Sequence, residues 1–133
     1  MDKTTVKAYF GGLGYVLIKG YSAVVAGYPV VIHRPIVFDQ AMGTITLHTH
    51  RWNVTEPLSG RIIVGGIAYQ SAAPTRKDAI KHAAKRIHQW ETMDRDEALG
   101  VRIMRLAAEN PTDVPTYDMT ETRRIENVHK IHR

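Results

Sequence analysis

The first 72 residues alternate β-branched or aromatic positions with polar ones, interrupted by glycine and proline. Tyr15–Lys19 and Ala23–Ala26 have the composition of strands, set around Gly20-Tyr21-Ser22. Val30–His33 is a further β-branched run, bounded by Pro29 and Pro35. Proline cannot donate to a ladder, so this run belongs at a sheet edge or a strand end. The longest alternation, Thr44 to Val54, places Ile45 and Leu47 on one face and His48, His50, Trp52 and Val54 on the other. Pro57-Leu58-Ser59-Gly60 is a turn signal. Arg61–Val64 then returns antiparallel, and Gly65-Gly66 bends the chain before Ile67-Ala68-Tyr69.

At Pro74 the period changes. Thr75 and Asp78 have capping-box spacing, and Ile80, Ala83, Ala84 and Ile87 follow the i, i+3, i+4, i+7 pattern of a packed helical stripe that Trp90 extends. A second helix is expected from Asp94-Arg95-Asp96-Glu97, where acids meet the positive helix end. It carries Leu99, Ile103 and Leu106 on its apolar line and stops at Asn110-Pro111. Residues 111–115 form a linker. Thr120 opens a short segment with Ile125, Val128 and Ile131 at helical spacing, which at about a dozen residues is marginal alone.

These elements predict an α+β fold in one domain spanning residues 1–133. An antiparallel sheet of four to six strands occupies residues 1–72, two packed helices occupy 74–110, and a linker with a short C-terminal helix or tail occupies 111–133. Exposed sheet edges and the marginal tail point to a homodimer or higher oligomer. A chain of 133 residues with 44% hydrophobic and 23% charged residues has the make-up of a globular domain, not of a disordered or fibrous chain. No apolar run is long enough to span a membrane, and no secretory signal is evident. Cysteine is absent, which removes disulfides, thiolate metal sites and cysteine nucleophiles and is compatible with a reducing cytoplasm.

Charge is the more informative feature. The net charge is +5, and residues 61–92 hold six Lys or Arg against two acids, whereas residues 93–133 hold seven against eight. On the first helix Lys77, Lys81, Lys85 and His88 share a face at spacings of four, four and three, and Arg76 and Arg86 adjoin them. Like charges at i, i+4 oppose a helix by about 0.2–0.5 kcal/mol per pair, a cost that an anionic partner or acids from elsewhere in the fold would offset. Arg102 and Arg105, three apart on the second helix, could clamp a phosphate or pair with Asp96, Glu97 or Glu109. Trp52 and Tyr69, and less so Trp90, could stack on bases beside the basic helix.

Other chemistry is weakly signalled. Gly11-Gly12-Leu13-Gly14 lacks the Lys-Ser/Thr and the helix of a phosphate loop. His48 and His50 could share a metal with His33 or a carboxylate, but spacing indicates no complete ligand set. Ser22, Ser59 and Ser71 lack a nucleophile-elbow setting, and Asp39 and Glu56 lack a carboxylate partner.

Two resemblances follow. Arg51 to Arg86, ordered strand, strand, basic alanine-rich helix, is similar to the C-terminal half of the double-stranded RNA-binding domain. In that family a Lys-Lys-x-Ala-Lys stretch grips phosphates, and Arg76, Lys77 and Ala79 match it here. Ile80 stands where the third lysine belongs, Lys81 follows it, and the family's leading helix is replaced by strand-like sequence. The resemblance implies phosphate contact by Arg76, Lys77, Lys81 and Lys85. The run Trp52-Asn53-Val54-Thr55-Glu56-Pro57 with Ser59-Gly60-Arg61 and Thr75–Ile80 also looks like short accessory proteins of bacteriophages, which occupy a host enzyme, a nucleic acid or a signalling nucleotide. The expected function is therefore a small, cytoplasmic, non-enzymatic and cofactor-free binding protein for nucleic acid or a nucleotide, using Arg76, Lys77, Lys81, Lys85, Arg86, Arg102 and Arg105. The alternatives are an inhibitor of a host defence complex, of the anti-CRISPR type or similar, and a small histidine-based hydrolase or metalloenzyme.

Overall fold

The computed structural model describes residues 1–66, 71–93 and 96–128. Among them nine strands and two α-helices form a mixed α+β domain in which antiparallel sheets precede the helices. The larger sheet runs β1 (Lys3–Tyr9), β2 (Tyr15–Val25), β3 (Tyr28–His33), β6 (Asn53–Thr55), β7 (Ile62–Val64), with β8 (Thr116–Asp118) added to β2. A second sheet joins β4 (Ile36–Asp39), β5 (Thr44–Leu47) and β9 (Arg124–Ile125). The helices are α1 (Arg76–Met93) and α2 (Leu99–Glu109).

β2 organises both cores. Its Val16 and Ile18 pair across with Ala8 and Val6 of β1 and bury against Ile36 and Ile45 of the second sheet, with Met119 and Val128 closing the same cluster. Its Val25 lies on the opposite face and packs with Val30, Ile32 and Val54 against Ala79, Ala83 and Ile87 of α1 and Leu99 and Ile103 of α2. The two-residue period along one strand thus serves a sheet on one side and helices on the other. The larger sheet's other face carries buried polar groups. His33 is fully buried; as a carbonyl only accepts, its Nδ1–H donates to Arg34 O at 2.9 Å, and the Thr55 hydroxyl donates to the bare Nε2 at 2.7 Å. Burial lowers its pKa to about 4.

The structure corrects several sequence expectations. The two strands expected around Gly20 are one. Gly20 lies inside β2 where β3 approaches so closely that a Cβ would stand 2.5 Å from Ile32 O, and the reversal falls instead at Ala26-Gly27, both at positive φ. The expected strand from Thr44 to Val54 breaks between β5 and β6, which belong to different sheets. Across the break the amide of His50 donates to His48 Nδ1 at 3.1 Å, so a side chain takes the hydrogen bond a ladder would have supplied. Helix α2 begins at Leu99, preceded by an extended Ala98, so Asp96 and Glu97 precede its first turn. Of the short helix or tail expected from Thr120, the described residues 120–128 form no helix but carry β9, antiparallel to β5, just after β8 has paired parallel to β2; unfilled strand edges and a place in the core outweighed the weak helical spacing. The Ile67-Ala68-Tyr69 strand, Asp94, Arg95 and Ile131 lie outside the described residues.

Candidate functional site: a cationic face with an aromatic base

Thr75 caps α1, its Oγ1 accepting from Asp78 N at 3.1 Å. Ala79, Ala83 and Ile87 are buried at one position per turn, and the small alanines let the helix lie close on β6 and β7. The same rotation leaves Arg76, Lys77, Lys81, Lys85 and Arg86 exposed. None of the five forms a salt bridge among the described residues; those present engage Lys19, Arg102, Arg105 and Arg124. The row spans about 15 Å of helix, the axial rise of roughly four nucleotides of one strand. Beside its second half an open groove of about 420 Å³ is lined by Ile63, Val64, Gly65, Ser71, His82, Lys85, Arg86 and Gln89, without an acid among them.

The basic residues of α2 have a different environment. Arg105 makes a two-pronged pair with Glu97, with Nη2–Oε1 and Nε–Oε2 both 2.9 Å, and its Nη1 lies 3.3 Å from Glu109 Oε2. These hydrogen bonds hold Glu97 below the usual carboxylate range and push Arg105 up. Arg102 donates from Nη2 to Trp90 O, tying α2 to the end of α1, with Nε 3.9 Å from Glu97. The structure therefore does not bring Arg102 and Arg105 into the open row of α1: the acids that the sequence offered as partners hold them.

At the start of α1 the row meets Trp52 together with Arg34 and Tyr21, two residues to which sequence reasoning gave no role. The Arg34 guanidinium lies 3.6 Å from the centroid of the Trp52 ring, and Arg76 lies 5.5 Å from the same ring and 5.2 Å from Tyr21. Tyr21 meets Trp52 edge-on at 6.3 Å. Trp52 is anchored by reciprocal backbone bonds to Ala73, just before α1. Arg34 Nη1 donates to Arg51 O at 3.1 Å, and Arg51 Nη1 donates to Ala72 O at 3.0 Å. Burial lowers the pKa of Arg34, and the positive charges of Arg76 and Arg123 lower it further. One face of the Trp52 ring, the residue expected to stack on bases, is taken by a guanidinium. Trp90 is half-buried against the core, and Tyr69 lies outside the described residues.

The histidines form no metal centre among the described residues, where no group of three or more His, Asp or Glu is placed to hold an ion. His48 and His50 meet edge to face at 5.7 Å, and both ring nitrogens of His33 are engaged in the interior. His48 has its pKa lowered by burial, then by His50, Arg51 and Arg34. No protein family, curated protein or solved structure matches the chain.

Proposed function

We propose that the protein is a non-enzymatic binder of phosphate-bearing ligands, with nucleic acid the ligand that suits α1 best. The carrying observation is the row from Arg76 to Arg86, exposed and without a salt bridge among the described residues, beside a helix whose arginines are neutralised. An extended, shallow cationic face matches a polyanion, which neutralises each position in turn and releases counterions. Among the described residues no helix is long and apolar enough to cross a membrane, and a cytoplasmic site of action fits this reading. Action as a homodimer, through its open strand edges, belongs to the same proposal.

The test is a mobility shift with DNA and with RNA across salt concentrations. About four phosphate contacts predict that affinity falls roughly a hundredfold between about 50 and 200 mM salt. Weak binding that ignores salt for every nucleic acid would overturn the reading.

A second reading, an inhibitor that occupies a host protein complex as phage accessory proteins do, draws on exposed Val101 and Met104, three apart on α2. A partner recovered from nuclease-treated lysate and lost in Val101→Asp/Met104→Asp favours it.

A further inference from the structure

The open row of α1 is not uniform. Its lysines are isolated point charges, but at its N-terminal end guanidiniums from separate elements converge. Arg34 follows β3, Arg76 opens α1, and both lie over the ring of Trp52. Arg123 is brought to the same corner by the backbone. Leu47 N donates to Arg123 O at 2.8 Å, and the next residue, His48, donates from N to Pro35 O at 2.8 Å, beside Arg34. None of these three arginines forms a salt bridge among the described residues.

Such a cluster is costly to keep empty. The guanidiniums repel one another, and Arg34 is also partly removed from water. The aromatic rings offset part of that through their negative faces. Trp52 also holds Arg34 in place, and the bond of its Nη1 to Arg51 O orients the remaining donors of its fork before a ligand arrives. A base cannot enter the Trp52 face that Arg34 covers at 3.6 Å. What the corner offers is a set of oriented N–H donors, and the partner for such donors is a tetrahedral oxyanion. A phosphodiester brings one negative charge, whereas a phosphate monoester brings about −1.5 to −2 near neutral pH and three acceptor oxygens.

We propose that Arg34 and Arg76, held on Trp52 and Tyr21, form with the neighbouring Arg123 a receptor for a phosphate monoester, the end group of a nucleic-acid strand or of a free nucleotide. For the strand source the inference rests on the α1 reading, with the strand end in the corner and the following phosphates along Lys77, Lys81 and Lys85. A free nucleotide would use the corner alone.

The experiment compares a short DNA strand bearing a 5′-phosphate with a strand two nucleotides longer ending in a 5′-hydroxyl, so that total charge is matched. The phosphorylated strand is expected to bind about tenfold more tightly, the equivalent of about one charge-assisted hydrogen bond. Arg34→Gln, outside the α1 row and with a Tm that matches the parent, is expected to erase that preference while leaving salt-dependent binding of the hydroxyl strand within a few-fold. Arg76→Gln should erase the preference too, and because Arg76 also belongs to the α1 row it should weaken binding of both strands. Equal affinity of the parent for the two strands overturns the receptor and leaves the α1 reading standing. If neither strand binds but adenosine monophosphate raises Tm in the parent and not in Arg76→Gln, the receptor stands with the free nucleotide as its source, and the strand reading falls. Absence of both responses overturns the receptor as well.

Discussion

Two helices follow one another in this protein and share one core, both carry basic residues, and their charges have opposite fates. On α2, Arg105 is clasped by Glu97 and Glu109, and Arg102 spends a guanidinium donor on the end of α1. On α1, five cations over eleven positions form no salt bridge among the described residues. Counting arginines and lysines does not separate the two. What separates them is whether acids stand within reach. The charge of α2 is spent on holding the structure together, and that of α1 remains open to an outside partner.

The strongest way to break this contrast is to invert α1. Lys77→Glu/Lys81→Glu/Lys85→Glu should weaken nucleic-acid binding by at least about a hundredfold at moderate salt, by mobility shift, with helicity intact by circular dichroism. Loss of fewer than tenfold would mean that α1 is not the contact face. The next effect is on the fold beneath both helices. Because His33 is held neutral with a pKa of about 4, the unfolded chain binds a proton below its usual value of about 6.5 that the folded chain refuses. Stability should therefore be unaffected by this group above pH 6.5 and fall by about 3 kcal/mol as pH drops to 4, read from urea midpoints, and the slope should flatten in His33→Gln. Binding data taken in that window would mix unfolding with recognition.

A subtler change makes α1 resemble its neighbour. His82→Glu places an acid three residues before Lys85 and four before Arg86, the arrangement that pairs best on a helix. It should lower the salt slope of binding by about 1, read from affinities across a salt series, and raise Tm slightly. The smallest effect belongs to α2: Arg105→Gln should leave both affinity and salt slope unchanged and cost only a small drop in Tm. A large affinity loss there would show that the pairing with Glu97 opens when ligand binds.

Local signals were legible in the sequence. Thr75 and Asp78 announced the start of α1, and the alanines with Ile87 fixed which face is buried, so the exposed lysines followed. The α+β division at Pro74 was equally plain, because the period changes there. Signals that depend on distant partners were not. Thr116–Asp118 is too short to show a period, and its ladder partner in β2 lies a hundred residues away. The Arg105–Glu97 clasp is eight residues long, and spacing alone allowed Asp96 or Glu109 as well. The corner at Trp52 gathers Arg34, Tyr21 and Arg123 from three parts of the chain, and only the fold makes them neighbours.

The placement of β8 and β9 bears on how the molecule is made. Tyr15 Oη donates to Pro111 O across 96 positions, and Ile125 completes a ladder with Ile45. Both sheets therefore wait for residues synthesised some 80 to 100 positions after their partners, and closing such long loops is slow. While the ribosome is still translating residues 111–125, the apolar bed for Met119 and Val128 stands uncovered, a window in which the nascent chain is most exposed to chaperones and to aggregation.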